Sequence, residues 1–284
     1  MALETLLIGA ISPLRIALGL LLGLGAGGVA AWRRALTPGG AAMAAMNGTL
    51  ILGFGGWAWG LTLGLAFALT SRFSHYKARI KQQQTGMRIA ESREQRNAVQ
   101  VLVNGSPAAL IALAYGLMGQ PPILFAAFAG VLATVTADTW ASELGILSQQ
   151  PPRLITTGQR VEPGTPGSVT PLGLGISLVG GLFIGLSLAL AHLIVFWLAG
   201  APLNFPGWLL TAGLAGGLTG SLADSLLGTT LQARYRLPDG QETERPVRPD
   251  GGRNLRVRGL PWLNNDMVNL LSSLAGGVVA LLVR

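Results

Sequence analysis

Four carboxylates stand in or beside long apolar runs of the chain: Asp138, Glu143, Asp224 and Asp266. An Asp at mid-membrane costs about 2.5–3.5 kcal/mol on insertion scales, so such residues are usually paired or functional. Two of them sit in similar segments. Thr134-Val135-Thr136-Ala137-Asp138-Thr139 and Thr219-Gly220-Ser221-Leu222-Ala223-Asp224-Ser225 share Ala-Asp-Thr/Ser, which predicts two related helices presenting equivalent aspartates. Helical spacing puts Thr134 and Ser142 on the face of Asp138, and Gly220, Ser221 and Gly228 on that of Asp224. Glu143 lies about 140° round the helix from Asp138 at about 100° per residue, so both reach one ion only if the helix ends or bends there. Asp266, Asn269 and Ser273 fall at i, i+3, i+7, preceded by Asn264 and Asn265. Asn97, Gln100 and Asn104 repeat that spacing, with Arg93 one turn earlier. Hard oxygen ligands of this kind suit Mg²⁺, which keeps waters and binds one or two carboxylates plus substrate phosphates. Asp138 and Asp224, two unpaired carboxylates near lipid, are the pair that most needs such a cation.

Residues 151–173 carry a second candidate. Thr170-Pro171 forms an N-cap and first-turn pair for a helix, and Gly164, Gly167 and Ser168 sit just ahead of it. A glycine-rich turn feeding a helix N-terminus can bind anions through its free N–H groups. Arg153, Thr156 and Thr157 would add charge and hydroxyl donors. No phosphate-loop lysine motif is present, and no G-x-G-x-x-G stands in the strand–turn–helix setting that binds nucleotides, so a soluble kinase fold is not supported. His75 at a helix end and His192 on an apolar run read as structural, and no Ser-His-Asp set is evident.

These residues must be positioned by membrane helices. Half of the 284 residues are apolar and only 11% are charged, against about 25% for a soluble domain. That excludes a soluble enzyme and a disordered chain. Glycine, at 41 residues, suits close helix packing in lipid. The absence of cysteine excludes disulfides, thiolate zinc and a catalytic thiol. Glu4 before the first apolar run and Arg33-Arg34 after it predict a retained span, not a cleaved signal. Apolar runs cover 7–32, 39–72, 98–119, 121–147, 170–199, 207–231 and 266–283. The second is too long for one crossing; Gly53, Gly55 and Gly56 interrupt it, and Trp57 and Trp59 suit an interface. Split there, the chain is an all-α bundle of about eight transmembrane helices, one domain over 1–284.

The split agrees with charge. The connections at 33–38, 73–97, 148–169 and 232–265, with Arg72 at the edge of the second, hold 18 of the 20 basic residues. The positive-inside rule makes that face, and the site, cytoplasmic, with both termini outside. The net charge of +8 then reflects topology, and no nucleic-acid partner is expected. Arg15 is the misfit, expected to snorkel to the outer interface. The 73–97 stretch is expected to extend a helix into the cytoplasm. Pro-Asp-Gly at 238–240 and 249–251 predicts a small hairpin.

Several blocks together resemble a known family. They are Asn97 to Gly105, Ala137 to Gly145, Pro152 to Thr157, Pro163 to Gly173, Gly220 to Gly228 and Leu263 to Leu271. In this order, and over nearly the whole chain from about 14 to 284, they resemble the phytyl-phosphate kinase and transmembrane protein 19 family. The resemblance implies conversion of an isoprenyl monophosphate (phytyl or geranylgeranyl phosphate) to its diphosphate. A nucleoside triphosphate would be the donor, CTP or GTP ahead of ATP, with Mg²⁺. It implies Asp138, Glu143, Asp224 and Asp266 as metal or phosphate-site residues, with Arg153, Asn104 and Asn265 nearby; a kinase built on them would use Asp138, Asp224 and Arg153 in catalysis. Asn97, Asn104, Glu143, Thr156, Gly164, Gly167, Ser168, Ser225, Asn265 and Asn269 would bind substrate or phosphate. Family members often carry cysteines in the loop before the last span; this chain has none there. The prenyl chain would lie between apolar helices, open to membrane lipid. An ion-coupled transporter and a lipid cytidylyltransferase stand as the competing readings.

Overall fold

The computed structural model describes residues 2–9, 11–85, 95–240, 242–248 and 250–284. Arg88 and Arg93 of the basic 73–97 stretch, and Pro249 of the second turn signal, lie outside them. A short helix α1 (Ala2–Ile8) precedes α2 (Pro13–Trp32) and α3 (Pro38–Leu50). A π-helical turn (Ile51–Gly55) leads to α4 (Trp57–His75) and α5 (Ala78–Thr85). Then come α6 (Ala98–Leu117), α7 (Pro122–Gly145), α8 (Pro171–Leu198), α9 (Trp208–Thr230) and α10 (Asn265–Leu282). The eight expected spans are α2, α3 with its π turn, α4 and α6 to α10. Five of these (α2, α6, α7, α8 and α10) are long and apolar enough to cross a bilayer by themselves.

Local signals fix the helix starts. Ser12, Thr37 and Thr170 each precede a proline and accept a hydrogen bond from the N–H three residues on. Asn97 with Gln100 makes a reciprocal capping box on α6, and Asn264 caps α10. These satisfy N–H groups that have no intrahelical acceptor. The split of the 39–72 run falls at Gly56, whose φ of 97° is open to glycine and strained for other residues.

Two sequence expectations are corrected at this break. Arg15 does not snorkel. It is fully buried, and its Nε and Nη1 donate to Gly53 O (3.0 Å) and Leu6 O (3.4 Å). The π turn displaces carbonyls from the regular helical ladder, and a buried guanidinium can satisfy them. Trp59 is not an interface anchor either. It is buried against Phe128 (centroids 3.9 Å apart), Tyr115 and Phe125. Trp57 does use its indole N–H at the periphery, donating to Leu6 O.

Helix α7 is the centre of the bundle, packed on α6, α8, α9 and α10. Small residues let the backbones meet. A Cβ added at Gly216 of α9 would lie 2.7 Å from Gly130 Cα of α7 and 2.8 Å from Gly276 O of α10. Thr134 then donates to Gly130 O (2.9 Å) and Gly216 O (3.0 Å), which binds α7 to α9.

The connections at 33–37, 95–97, 146–170 and 231–264 gather at one end. Ala35 and Thr37 exchange backbone hydrogen bonds with Arg96. Strands β1 (Arg153–Leu154) and β2 (Ser168–Val169) close an antiparallel pair. Strand β3 (Arg234–Arg236) lies between β4 (Glu242–Thr243) and β5 (Leu255–Arg258). The predicted hairpin is thus a three-stranded sheet, with the 238–240 signal at its β3–β4 turn. In the second turn, the Gly252 N–H and Arg248 Nε both donate to Asp250 Oδ1, holding that carboxyl below the usual range. The 73–97 stretch is not one helical extension: Lys77, with a positive φ, separates α4 from α5.

A valine at Gly216 must push apart three backbones and has no flexible side chain to displace. Overpacking in a tight core costs about 1–3 kcal/mol. Gly216→Val should lower the detergent-solubilised melting temperature clearly. Gly28→Ala, where nothing lies within 4 Å, should leave it unchanged.

Candidate functional site

Asp138 stands eight residues after Gly130, and Asp224 eight residues after Gly216. The two helices run in parallel from that glycine contact. At about 1.5 Å per residue, both aspartates therefore reach the same height, roughly 12 Å further along. They line one cavity of about 800 Å³ at the end where the basic connections gather.

The cavity is walled by the C-terminal turns of α7 and α9, the N-terminal turns of α8, and the turn at 163–170. Asp138, Glu143, Asp224, Gly164, Gly167, Ser168, Ser225 and Asn265 all line it. Gly167 has a φ of 73° and lies against Thr229 and Ser225 of α9 with no room for a side chain. That contact fixes the 163–168 turn over the aspartates. Thr170 caps α8 as expected: its Oγ1 accepts from Gly173 N (3.0 Å) and donates to Gly145 O (3.3 Å), pinning α8 to the end of α7.

The remaining predicted residues are placed elsewhere. Arg153 is exposed on β1, where Nη1 donates to Gly158 O (2.8 Å). Thr156 is exposed in the same hairpin. Asn97 serves as a helix cap, and Asn104 is half-buried on α6. Asp266 is in the first turn of α10, and Asn269 one turn further on. None of these six is among the described residues lining the cavity.

Glu143 enters the site in a different role from the one expected. Its Oε2 accepts from Lys81 Nζ at 2.6 Å, and the same ammonium donates to Phe73 O at 2.7 Å. It is an ion-pair partner that ties α7 to α5 and α4. The four expected ligands therefore do not cluster, and among the described residues no three His, Cys, Asp or Glu side chains converge as a metal cage. Asp138 and Asp224 have no cation partner among the described residues. Glu244, also in the lining, pairs with Arg234 at 3.2 Å.

Sequence reasoning missed several supports. Ser272 Oγ donates to Asp224 Oδ2 (3.3 Å), one position from the Ser273 assigned to the polar stripe. Ser177 and Ser221 share a buried hydrogen bond of 3.0 Å between α8 and α9. Asn47, on α3, donates to Val101 O and accepts from Ser106. Lys81 was one basic residue among many, and only the fold singles it out.

Together these features define a polytopic helical membrane protein with an acidic cavity at its basic end. The chain belongs to the family described as Integral membrane protein DUF92, which it matches over residues 21–277. It is similar to Protein PGR of Arabidopsis thaliana, 35% identical over 63% of this chain and 66% of the relative. An uncharacterized membrane protein of Methanocaldococcus jannaschii is 33% identical, covering 60% of each chain. One from Synechocystis is 29% identical over 88% of this chain and 83% of its own length. The matched part thus spans slightly under two thirds of the first two relatives. No solved structure matches.

The Lys81–Glu143 pair is largely shielded, with side-chain exposures of 11% and 27%. Removing one partner strands the other charge at a cost of about 1–3 kcal/mol. Lys81→Met should therefore destabilise the protein in a thermal melt, and adding Glu143→Gln should restore part of the loss. A double-mutant cycle measures the coupling.

Proposed function

We propose that the protein is a membrane kinase that converts an isoprenyl monophosphate, phytyl or geranylgeranyl phosphate, to the diphosphate with a nucleoside triphosphate. The observation that carries this reading is the pair of aspartates, without a cation partner among the described residues, facing one cavity beneath a glycine-rich turn. Two carboxylates with serine hydroxyls nearby fit Mg²⁺, which accepts one or two carboxylates and fills its sphere with waters and phosphate oxygens. When bound, the ion neutralises the donor's phosphate charge. Asp138 and Asp224 would hold it, and Ser272 orients Asp224 for that purpose.

The acceptor's own phosphate oxygen forms the new bond to the donor's terminal phosphorus. The bond from that phosphorus to the bridging oxygen breaks, and a nucleoside diphosphate leaves. A phosphate monoester has a second pKa of about 6, so the attacking oxygen is already ionised at neutral pH and no general base is required. Neither histidine lines the cavity, in keeping with this. Catalysis is then positioning and electrostatic stabilisation. Thr165 and Ser168 already donate their N–H groups within the turn, so those of Gly164 and Gly167, with Leu172 at the α8 N-terminus, would face the donor phosphates. With basic connections toward the cytoplasm, the cavity opens where nucleotides are abundant. Ion-coupled transport would want helices broken around the acids, whereas α7 and α9 run unbroken past Asp138 and Asp224.

Purified protein in lipid micelles, given Mg²⁺, geranylgeranyl or phytyl monophosphate and each of CTP, GTP, UTP and ATP, should release prenyl diphosphate and nucleoside diphosphate. Asp138→Asn and Asp224→Asn should each lose at least about 10²-fold in rate, as when one electrostatic stabiliser is removed. A nucleotide-linked lipid with pyrophosphate would move the assignment to nucleotidyl transfer.

A further inference from the structure

A second, larger cavity of about 1990 Å³ adjoins the first. Helix α2 rests on α3 and the π turn and leaves the neighbouring part of α4 uncovered, so a cleft runs between α2 and α4 toward the basic end. Its walls are apolar, with Val29, Leu65 and Phe67 each about half exposed. Its rim is strongly cationic: Arg33, Arg34, Arg72, Arg79 and Arg96 all line it. None of these five has an ion-pair partner among the described residues. Among the described lining residues the one acidic side chain is Glu143, which Lys81 already holds.

The two cavities share a wall. Ser74, Ala78 and Glu143 line both. Their charges are opposite, however. Among the described residues, four carboxylates and a single ammonium line the Asp138–Asp224 cavity, which suits a metal-bound nucleotide and repels a bare dianion. Five arginines above apolar walls suit a lipid whose only charge is a terminal phosphate.

We propose that the α2–α4 cleft is the acceptor site: it takes an isoprenyl monophosphate from the bilayer, with its chain along α2 and α4 and its phosphate at the arginine rim, and the Lys81–Glu143 pair divides it from the nucleotide cavity. This rests on the kinase reading and deepens it. Acceptor and donor would enter from different sides, and their phosphates would come into contact where Ser74, Ala78 and Glu143 line both cavities.

Photo-crosslinking separates the two claims. The probe is geranylgeranyl monophosphate with a diazirine on its terminal isoprene unit, used on the full chain in nanodiscs without nucleotide, with adducts mapped by mass spectrometry. Adducts should fall on peptides covering 25–36 and 65–75. Gly25 lines the cleft with open space around it, so Gly25→Phe should fill the cleft and cut the adducts several-fold. Gly28→Phe, equally open but outside the lining, should not. Arg33→Gln/Arg34→Gln/Arg72→Gln should weaken labelling, and neither inorganic phosphate nor geranylgeraniol should compete at the probe's own concentration.

Adducts confined to α8 or α9 would overturn the acceptor site and leave the kinase reading standing on its turnover assay. Effective competition by geranylgeraniol would remove the arginine rim from the account. Competition by inorganic phosphate would remove the apolar walls. No adduct at all on folded protein would contradict both this site and the choice of acceptor.

Discussion

The backbone contact among Gly130, Gly216 and Gly276 is the constraint on which the rest depends. In lipid, helices gain nothing from hiding apolar side chains from one another, so close van der Waals approach and interhelical hydrogen bonds must hold them. Three glycines give that approach, and Thr134 adds the hydrogen bonds. Once α7 and α9 are joined there, equal offsets carry Asp138 and Asp224 to one level. Two acids that would each be costly against lipid instead face a shared polar cavity. The neighbouring contacts follow from the same geometry: Ser272 on α10 reaches Asp224, and Gly167 lets the 163–168 turn settle onto α9.

Much of this is legible in the sequence. The alternation of basic and uncharged connections gives the number of spans, because charge responds to the membrane more sharply than apolar length does. Thr170-Pro171 and the two Pro-Asp-Gly signals announce their turns, since their physics is local. The Ala-Asp-Thr/Ser similarity anticipates two matched aspartates. What is hidden is whatever depends on distant partners. Arg15 looks like a surface residue until the π turn provides carbonyls for it. Trp59 looks like an interface residue until three aromatic rings surround it. Glu143 looks like a ligand until Lys81, 62 positions away in sequence, arrives beside it. The polar spacing of Asn97 and Asn104 signals helix ends and helix contacts as readily as substrate sites, and Asn97 is a cap.

The bundle separates its charges. Acidic side chains gather under the 163–170 turn, and arginines gather around the α2–α4 cleft, with one ion pair on the wall between. Such a division suits two anionic substrates that must be brought together, one carrying a metal and the other dissolved in the bilayer. At the opposite end, residues 5–9 meet the break before α4 and the loop at Gln120, and Thr211 meets Val283. Those contacts are structural in character, and the buried Arg15 ties Leu6 to Gly53 among them.

The central claim is that Asp138 and Asp224 face each other across one cavity. The native chain has no cysteine, so an Asp138→Cys/Asp224→Cys protein would carry only the two thiols of interest. In purified protein, micromolar Cd²⁺, which one thiolate holds weakly and two hold far more tightly, should be chelated by the pair and protect both thiols from maleimide together, while either single variant stays reactive. Thiols that stay independently reactive in a folded double variant would contradict the account.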